Sequence, residues 1–302
     1  MIDGFVSAGR SLRRRYRVLC RSRKSAVFFA NPLNVAGLLI VATITVVAVV
    51  GPLVAPHDPT SQELANRLQG PSMAHPLGTD QLGRDVFSRL LYGARLSLGI
   101  AVAVTTIRLV LGSTVGLVAG FVGGWVDEFL MRLVDVQLAF PGLVLALVIA
   151  GILGPSLRNV MVALAVVGWG SYARIVRGSV LSMREREFID AAQLMGVSRP
   201  RIAVRHLLPN VVSPVVVLAT MNLGTVILGT AGLSFIGLGA QPPTPEWGTM
   251  LSAGRHHLRD AWWIANAPGA AIMLTVLGFN LLGDGLRDVL DPKHDATLEK
   301  PT

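Results

Sequence analysis

REREFIDAAQLMGVSRPRIAVRHLLPN, residues 184–210, is the stretch from which the fold is read. Phe188, Ala191, Ala192 and Met195 recur in it at helical spacing, so a short helix presents a small apolar stripe beside the charged run Arg184, Glu185, Arg186 and Glu187. Gly196 fits a helix terminator, Ser198 the cap of a second helix, and Pro200 the first turn of that helix. The spacing predicts a helix, a tight turn and a helix. What such a pair does depends on what it is tethered to.

It is tethered to membrane spans. Of the 302 residues, 52% are hydrophobic and 15% charged, with a mean hydropathy of +0.57, whereas soluble domains carry about 25% charged residues. Crossing a bilayer takes about 20 mostly apolar helical residues. Six spans are expected: Leu33–Ala55, Leu96–Val122, Leu130–Leu153, Asn159–Ala173, Val211–Ala231 and Ala261–Gly283. The fourth is short, with fifteen residues between Arg158 and Arg174, so both arginines must snorkel toward the interfaces. The first apolar run is longer than a signal-peptide core, so it is read as a retained anchor. The expected fold is an all-α integral membrane protein.

Arginine placement orients it. The segment before the first span carries Arg10, Arg13, Arg14, Arg15, Arg17, Arg21, Arg23 and Lys24 against the single acid Asp3. The segment after the fourth carries Arg174, Arg177, Arg184, Arg186, Arg199, Arg201 and Arg205. The segment after the first has few cations, Arg67, Arg84 and Arg89, offset by acids. The two rich segments belong in the cytoplasm, and an even number of spans returns the carboxyl terminus there. Anionic lipid is a partner the basic tail could also bind. The chain divides into a basic tail (1–32), a first span (33–55), an extracytoplasmic segment (56–95), a core of five further spans (96–290) and a cytoplasmic tail (291–302). Within 56–95 the amphipathic run Arg84–Leu98 is expected to lie on the interface. Cys20, the single cysteine, excludes a disulfide framework within the chain.

An ordered helical pair exceeds what a connection between spans requires. A docking surface and an interfacial helix lying on lipid are the two readings of its spacing; tethering between spans argues against nucleic-acid binding. The pattern Asp190-Ala191-Ala192, then Gly196, then His206-Leu207-Leu208-Pro209 resembles the EAA loop of binding-protein-dependent ABC import permeases. Asp190 stands where the general consensus has Glu, and His206 where it has isoleucine. The wording RHLLPN is similar to the peptide and nickel branch. HPLGTDQLGRDVFSRLLYGARLSL (75–98), GLSFIGLGAQPPTPEWGTML (232–251) and GDGLRDVLDP (283–292) resemble its C-type permeases.

The resemblance implies a type I, MetI-like importer permease whose coupling loop seats on an ATPase, with Glu187, Phe188, Asp190, Ala191, Ala192, Met195, Gly196, Arg199, His206 and Pro209 in that loop. It implies a second, B-type permease, one fused or two separate ATPase subunits, and an extracytoplasmic peptide-binding protein. It also implies residence in the bacterial cytoplasmic membrane. Short peptides are the implied cargo, with nickel or another small solute as the alternative and an ion-coupled carrier as a distant one.

The chain has three lysines, Lys24, Lys293 and Lys300, and none stands in G-x-x-x-x-G-K-S/T. ATP and magnesium are therefore expected on partner subunits, and no cofactor on this chain. The Gly232-Leu233-Ser234 segment has no positioned base to activate the serine, so no catalytic residue is expected. No cysteine cluster or histidine-rich tract indicates a metal site. Gly112, Gly116 and Gly120 give the second span a smooth face for helix packing, within the chain or against a second permease. Arg108, mid-span, is a candidate for the translocation pathway. Arg132 and Asp135, three apart, are expected to pair on one helix. The glycine- and proline-rich stretch Gly229–Pro245 is read either as a partly re-entrant gate or as a surface loop.

Overall fold

Lipid offers no hydrogen bonds, so an apolar run must satisfy its backbone within itself, and a helix does so. The computed structural model describes residues 26–202, 205 and 207–290. The tails expected at 1–25 and 291–302, with Cys20 and the three lysines, lie outside the described residues. The helices are α1 (Pro32–Val54), α2 (Val86–Val122), α3 (Gly124–Ala139), α4 (Gly142–Leu153), α5 (Leu157–Arg184), α6 (Glu187–Leu194), α7 (Arg199–Ile202), α8 (Leu208–Phe235), α9 (Trp247–Gly254) and α10 (Trp263–Leu290). Five of them are long and apolar enough to span a membrane, and α3 with α4 makes a sixth if the bent pair is one span.

Four expectations change. The run Arg84–Leu98 forms no separate interfacial helix: Asp85 caps α2, accepting from the Ser88 N–H at 2.7 Å, and the helix continues unbroken for 37 residues. At about 1.5 Å per residue it far exceeds the ~30 Å hydrocarbon core. The third span is not one helix, because α3 and α4 meet at an 88° bend. Pro141 drives Phe140 out of the helical region, to ψ 141°. The short fourth span is the 28-residue α5. Its arginines at 174 and 177 are helical residues paired to Asp135 and Asp127 of α3. Finally, Gly229–Phe235 belongs to α8, and irregular chain begins only at Ile236.

Close contacts fix how the helices run. Gly112 faces Trp169 and Tyr172, Gly116 faces Ala173 and Val176, and Gly120 faces Val180. Both sets of numbers rise together, so α2 and α5 are parallel neighbours. The chain between them must return across the bundle, and α3–α4 performs that return: Asp127 meets Arg177, while Gln137 donates to the Val166 carbonyl at 2.6 Å. Tyr172 meets Asn222 and Leu164 meets Gly229, so α8 is antiparallel to α5. Contacts of Gly283 with Met221, and of Gly37 with Leu281, continue the alternation through α10 to α1. Asn34 abuts Gly285. The first turn of α1 and the last turns of α10 therefore lie at the same end of the bundle as α6 and α7, and residues 56–85 lie at the other.

A candidate coupling interface

The α5–α8 connection folds as a helix, a turn and a helix. Gly196 takes φ +77°, a left-handed conformation that suits a residue without Cβ and ends α6. The Ser198 carbonyl accepts the Ile202 N–H at 3.1 Å as α7 begins. One face of the pair is anchored. Ile189, Ile202 and Leu207 are fully buried and cluster with Tyr172, Val176, Val180 and Met183 of α5 and with Val211 and Val215 of α8. Each buried aliphatic side chain contributes about 1.5–3 kcal/mol, so the pair is held as part of the bundle.

The other face is bare. Phe188 is 43%, Leu194 88% and Met195 77% exposed, and Glu187, Ala191 and Pro209 are exposed beside them. The sequence reading picked out Phe188, Ala191 and Met195 on this face but missed Leu194. It also missed Ile189, the anchor, because an isoleucine beside a stripe of smaller residues carries no periodic signal of its own. The side chains of Asp190, Ala192 and Arg199, and residue His206, lie outside what the structure describes.

Behind the loop, α5 is fastened to α2. A Cβ at Gly112 would collide with the Trp169 carbonyl, and one at Gly116 with the Ala173 carbonyl. The glycine face is thus occupied inside the chain. Arg108 is 6% exposed within this chain and donates from Nε and Nη2 to the Leu164 carbonyl at 2.8 and 2.6 Å. Gly168 makes room for its guanidinium. Arg132 and Asp135 do not pair. Asp135 takes Arg174 at 2.8 Å, and Arg132 reaches Glu128 at 4.0 Å with both side chains exposed.

The opposite end is built from polar groups. Asp80 Oδ2 accepts Arg84 Nε at 2.7 Å and lies 3.7 Å from Arg89 Nε. Arg89 also donates to the Pro59 and Pro243 carbonyls at 2.7 and 3.3 Å. That bond joins residues 56–85 to the α8–α9 connection. Glu246, 1% exposed, caps α9 through the Gly248 and Thr249 N–H groups at 3.0 Å each. Trp263 and Trp247 donate their indole N–H groups to the Thr79 and Leu90 carbonyls, both at 3.1 Å. His57, His75 and Asp85 converge here, with ligand atoms within 4.8 Å of one another. The sequence reading missed them, since spacings of 18 and 10 residues match no metal-ligand motif.

With this geometry in hand, the relatives are informative. Residues 112–295 match the family described as binding-protein-dependent transport system inner membrane component. Residues 25–71 match the N-terminal transmembrane domain of oligopeptide transport permease C. The chain is 48% identical over 263 residues to the dipeptide transport system permease protein DppC of Alkalihalophilus pseudofirmus, covering 87% of this chain and 86% of that protein. It is 44% identical to the probable D,D-dipeptide transport system permease protein DdpC of Escherichia coli, covering 87% and 88%. It is 45% identical to the glutathione transport system permease protein GsiD of Pectobacterium atrosepticum, covering 88% and 89%. Among solved structures, the MetNI methionine ABC transporter in inward-facing conformations shares the fold, with TM-score 0.54 and 20% identity over 66% of this chain and 95% of that one. The fold and the family define an ABC importer permease of the MetI-like type. The chain belongs to the binding-protein-dependent transport system inner membrane component family, and is a multi-pass protein of the inner membrane.

Proposed function

We propose that this chain is the C-type permease of an importer for short peptides, driven by ATPase subunits that dock on α6. The observation that carries the reading is the two-faced α6–α7 pair: apolar and bare outside, fully buried inside against α5 and α8. A bare apolar face of this kind marks a partner site. Closure of the ATPases presses on α6, and Ile189, Ile202 and Leu207 pass that displacement to α5 and α8. Because α5 is keyed to α2 by the glycine face, the two helices move together. Alternating access then requires only that ATP and the loaded binding protein favour different arrangements of the paired permeases.

In this orientation residues 184–210 and both termini are cytoplasmic, and residues 56–85 face outward. ATP and magnesium belong to the partner subunits, and no bond is made or broken on this chain. Peptide cargo is supported by the names of the relatives, whose dipeptide and glutathione systems share a peptide backbone as their common chemistry.

Reconstitution in nanodiscs with the second permease, the ATPases and the binding protein tests the reading. Dipeptide-loaded binding protein is expected to stimulate ATP hydrolysis, and Ala191→Arg, which puts a long cation on the bare face, to abolish that stimulation. Undiminished stimulation in the variant would sink the docking role of α6. Uptake of Ni²⁺ in preference to di- and tripeptides would replace the cargo, and uptake driven by a proton gradient without ATPases would replace the mechanism.

A further inference from the structure

We infer that His57, His75 and Asp85 form a binding site for a divalent metal ion of the zinc class. Two imidazoles face one carboxylate: His75 Nδ1 lies 3.0 Å from Asp85 Oδ1, and His57 Nδ1 lies 3.8 Å from Asp85 Oδ2. Tetrahedral zinc with bonds of about 2.0–2.1 Å spaces its ligand atoms about 3.3 Å apart, against 3.0 and 3.8 Å from the imidazoles to the two Asp85 oxygens and at most 4.8 Å within the set. The donor set, two neutral imidazoles and a carboxylate, suits zinc and its borderline neighbours rather than calcium or magnesium.

The ligands are held before any metal arrives. The Asp85 side chain is 1% exposed, and its Oδ2 accepts the Ser88 N–H at 2.7 Å as the cap of α2. The Val86 N–H donates to the Gly78 carbonyl at 3.0 Å. The His75 N–H donates to Ser72 Oγ and the His57 N–H to Ser88 Oγ, each at 3.1 Å. The two ring centroids lie 4.7 Å apart with planes tilted by 31°. A hydrogen-bonded cap alone would need only His75. The second imidazole, aimed at the same carboxylate, is what a metal would use. With the His57 side chain 41% exposed, the fourth position opens to solvent and is available to water. Bound metal would tie His57, three residues past the end of α1, to the 72–85 loop and to the first turn of α2. The site is independent of the peptide reading.

The test uses the full chain in nanodiscs, stripped with a chelator and titrated with Zn²⁺ against a chromogenic competitor. One equivalent is expected to bind, and Co²⁺ in its place to give the visible bands of a tetrahedral site. His57→Ala and His75→Gln should each weaken Zn²⁺ binding by about tenfold or more. The double variant His256→Ala, His257→Ala should leave it unchanged. His57→Ala changes a half-exposed side chain, so its metal-free unfolding temperature should match that of the parent, while Zn²⁺ raises the temperature of the parent alone. No binding by the parent at one equivalent would overturn the site and leave a hydrogen-bonded cap. Equal affinity in parent and His57→Ala would overturn it as well.

Discussion

Where α2 begins, Asp80, Arg84 and Arg89 are buried and meet one another and the Pro59 and Pro243 carbonyls. Beyond the end of α5, Leu194 at the end of α6 and Met195 just after it are 88% and 77% exposed. One end buries charge and satisfies it internally; the other exposes apolar surface and leaves it unsatisfied. Burying a charge is costly unless every partner is supplied, and at the first end this chain supplies them. Exposing apolar area to water is unfavourable, so the second end offers the surface that the proposed ATPase contact would cover. Both follow from the same bundle, whose parallel α2 and α5 join the two ends.

The contrast is most strongly broken by Asp80→Ala. It leaves two buried arginines without their carboxylate, and loss of about 3–5 kcal/mol is expected, read as a lowered thermal-unfolding midpoint in detergent. A midpoint within error of the parent would mean that this end is not held by its ion pairs. A smaller effect is expected for Gly116→Ala, which presses a methyl against the Ala173 carbonyl. Overpacking of about 1–3 kcal/mol should lower the midpoint and shift the helix pair. The smallest stability effect belongs to Leu194→Ser with Met195→Ser, within about 0.5 kcal/mol for exposed positions, together with weaker ATPase association by pull-down. Destabilisation of the isolated chain by that double variant would show that α6 packs within its own protein.

The helix-turn-helix at 184–210 was legible because turn chemistry is local: Gly196 and Ser198 carry their signals in their own side chains. Span existence was legible from length and hydropathy. Local patterns do not encode distant partners. Arg174 and Arg177 read as loop residues because Asp135 and Asp127 lie 39 and 50 residues away. Arg108 read as a pathway residue because its acceptor is a backbone carbonyl, which no side-chain pattern announces. The 88° bend at Phe140 and Pro141 is marked in the sequence by that proline alone, inside a run whose total length suits one span. His57, His75 and Asp85 converge only once the 56–85 segment is folded.

The pairing of α2 with α5 also bears on biosynthesis. Arg108 donates its hydrogen bonds to a carbonyl 56 residues further along the chain. During synthesis α2 is therefore complete before its acceptor exists. Until α3–α4 has turned back and α5 has arrived, a guanidinium in α2 lacks its partner, at a cost that lipid does not relieve. The nascent helix must keep Arg108 in contact with water or with the insertion machinery over that interval, and the arrival of Leu164 releases it into the bilayer.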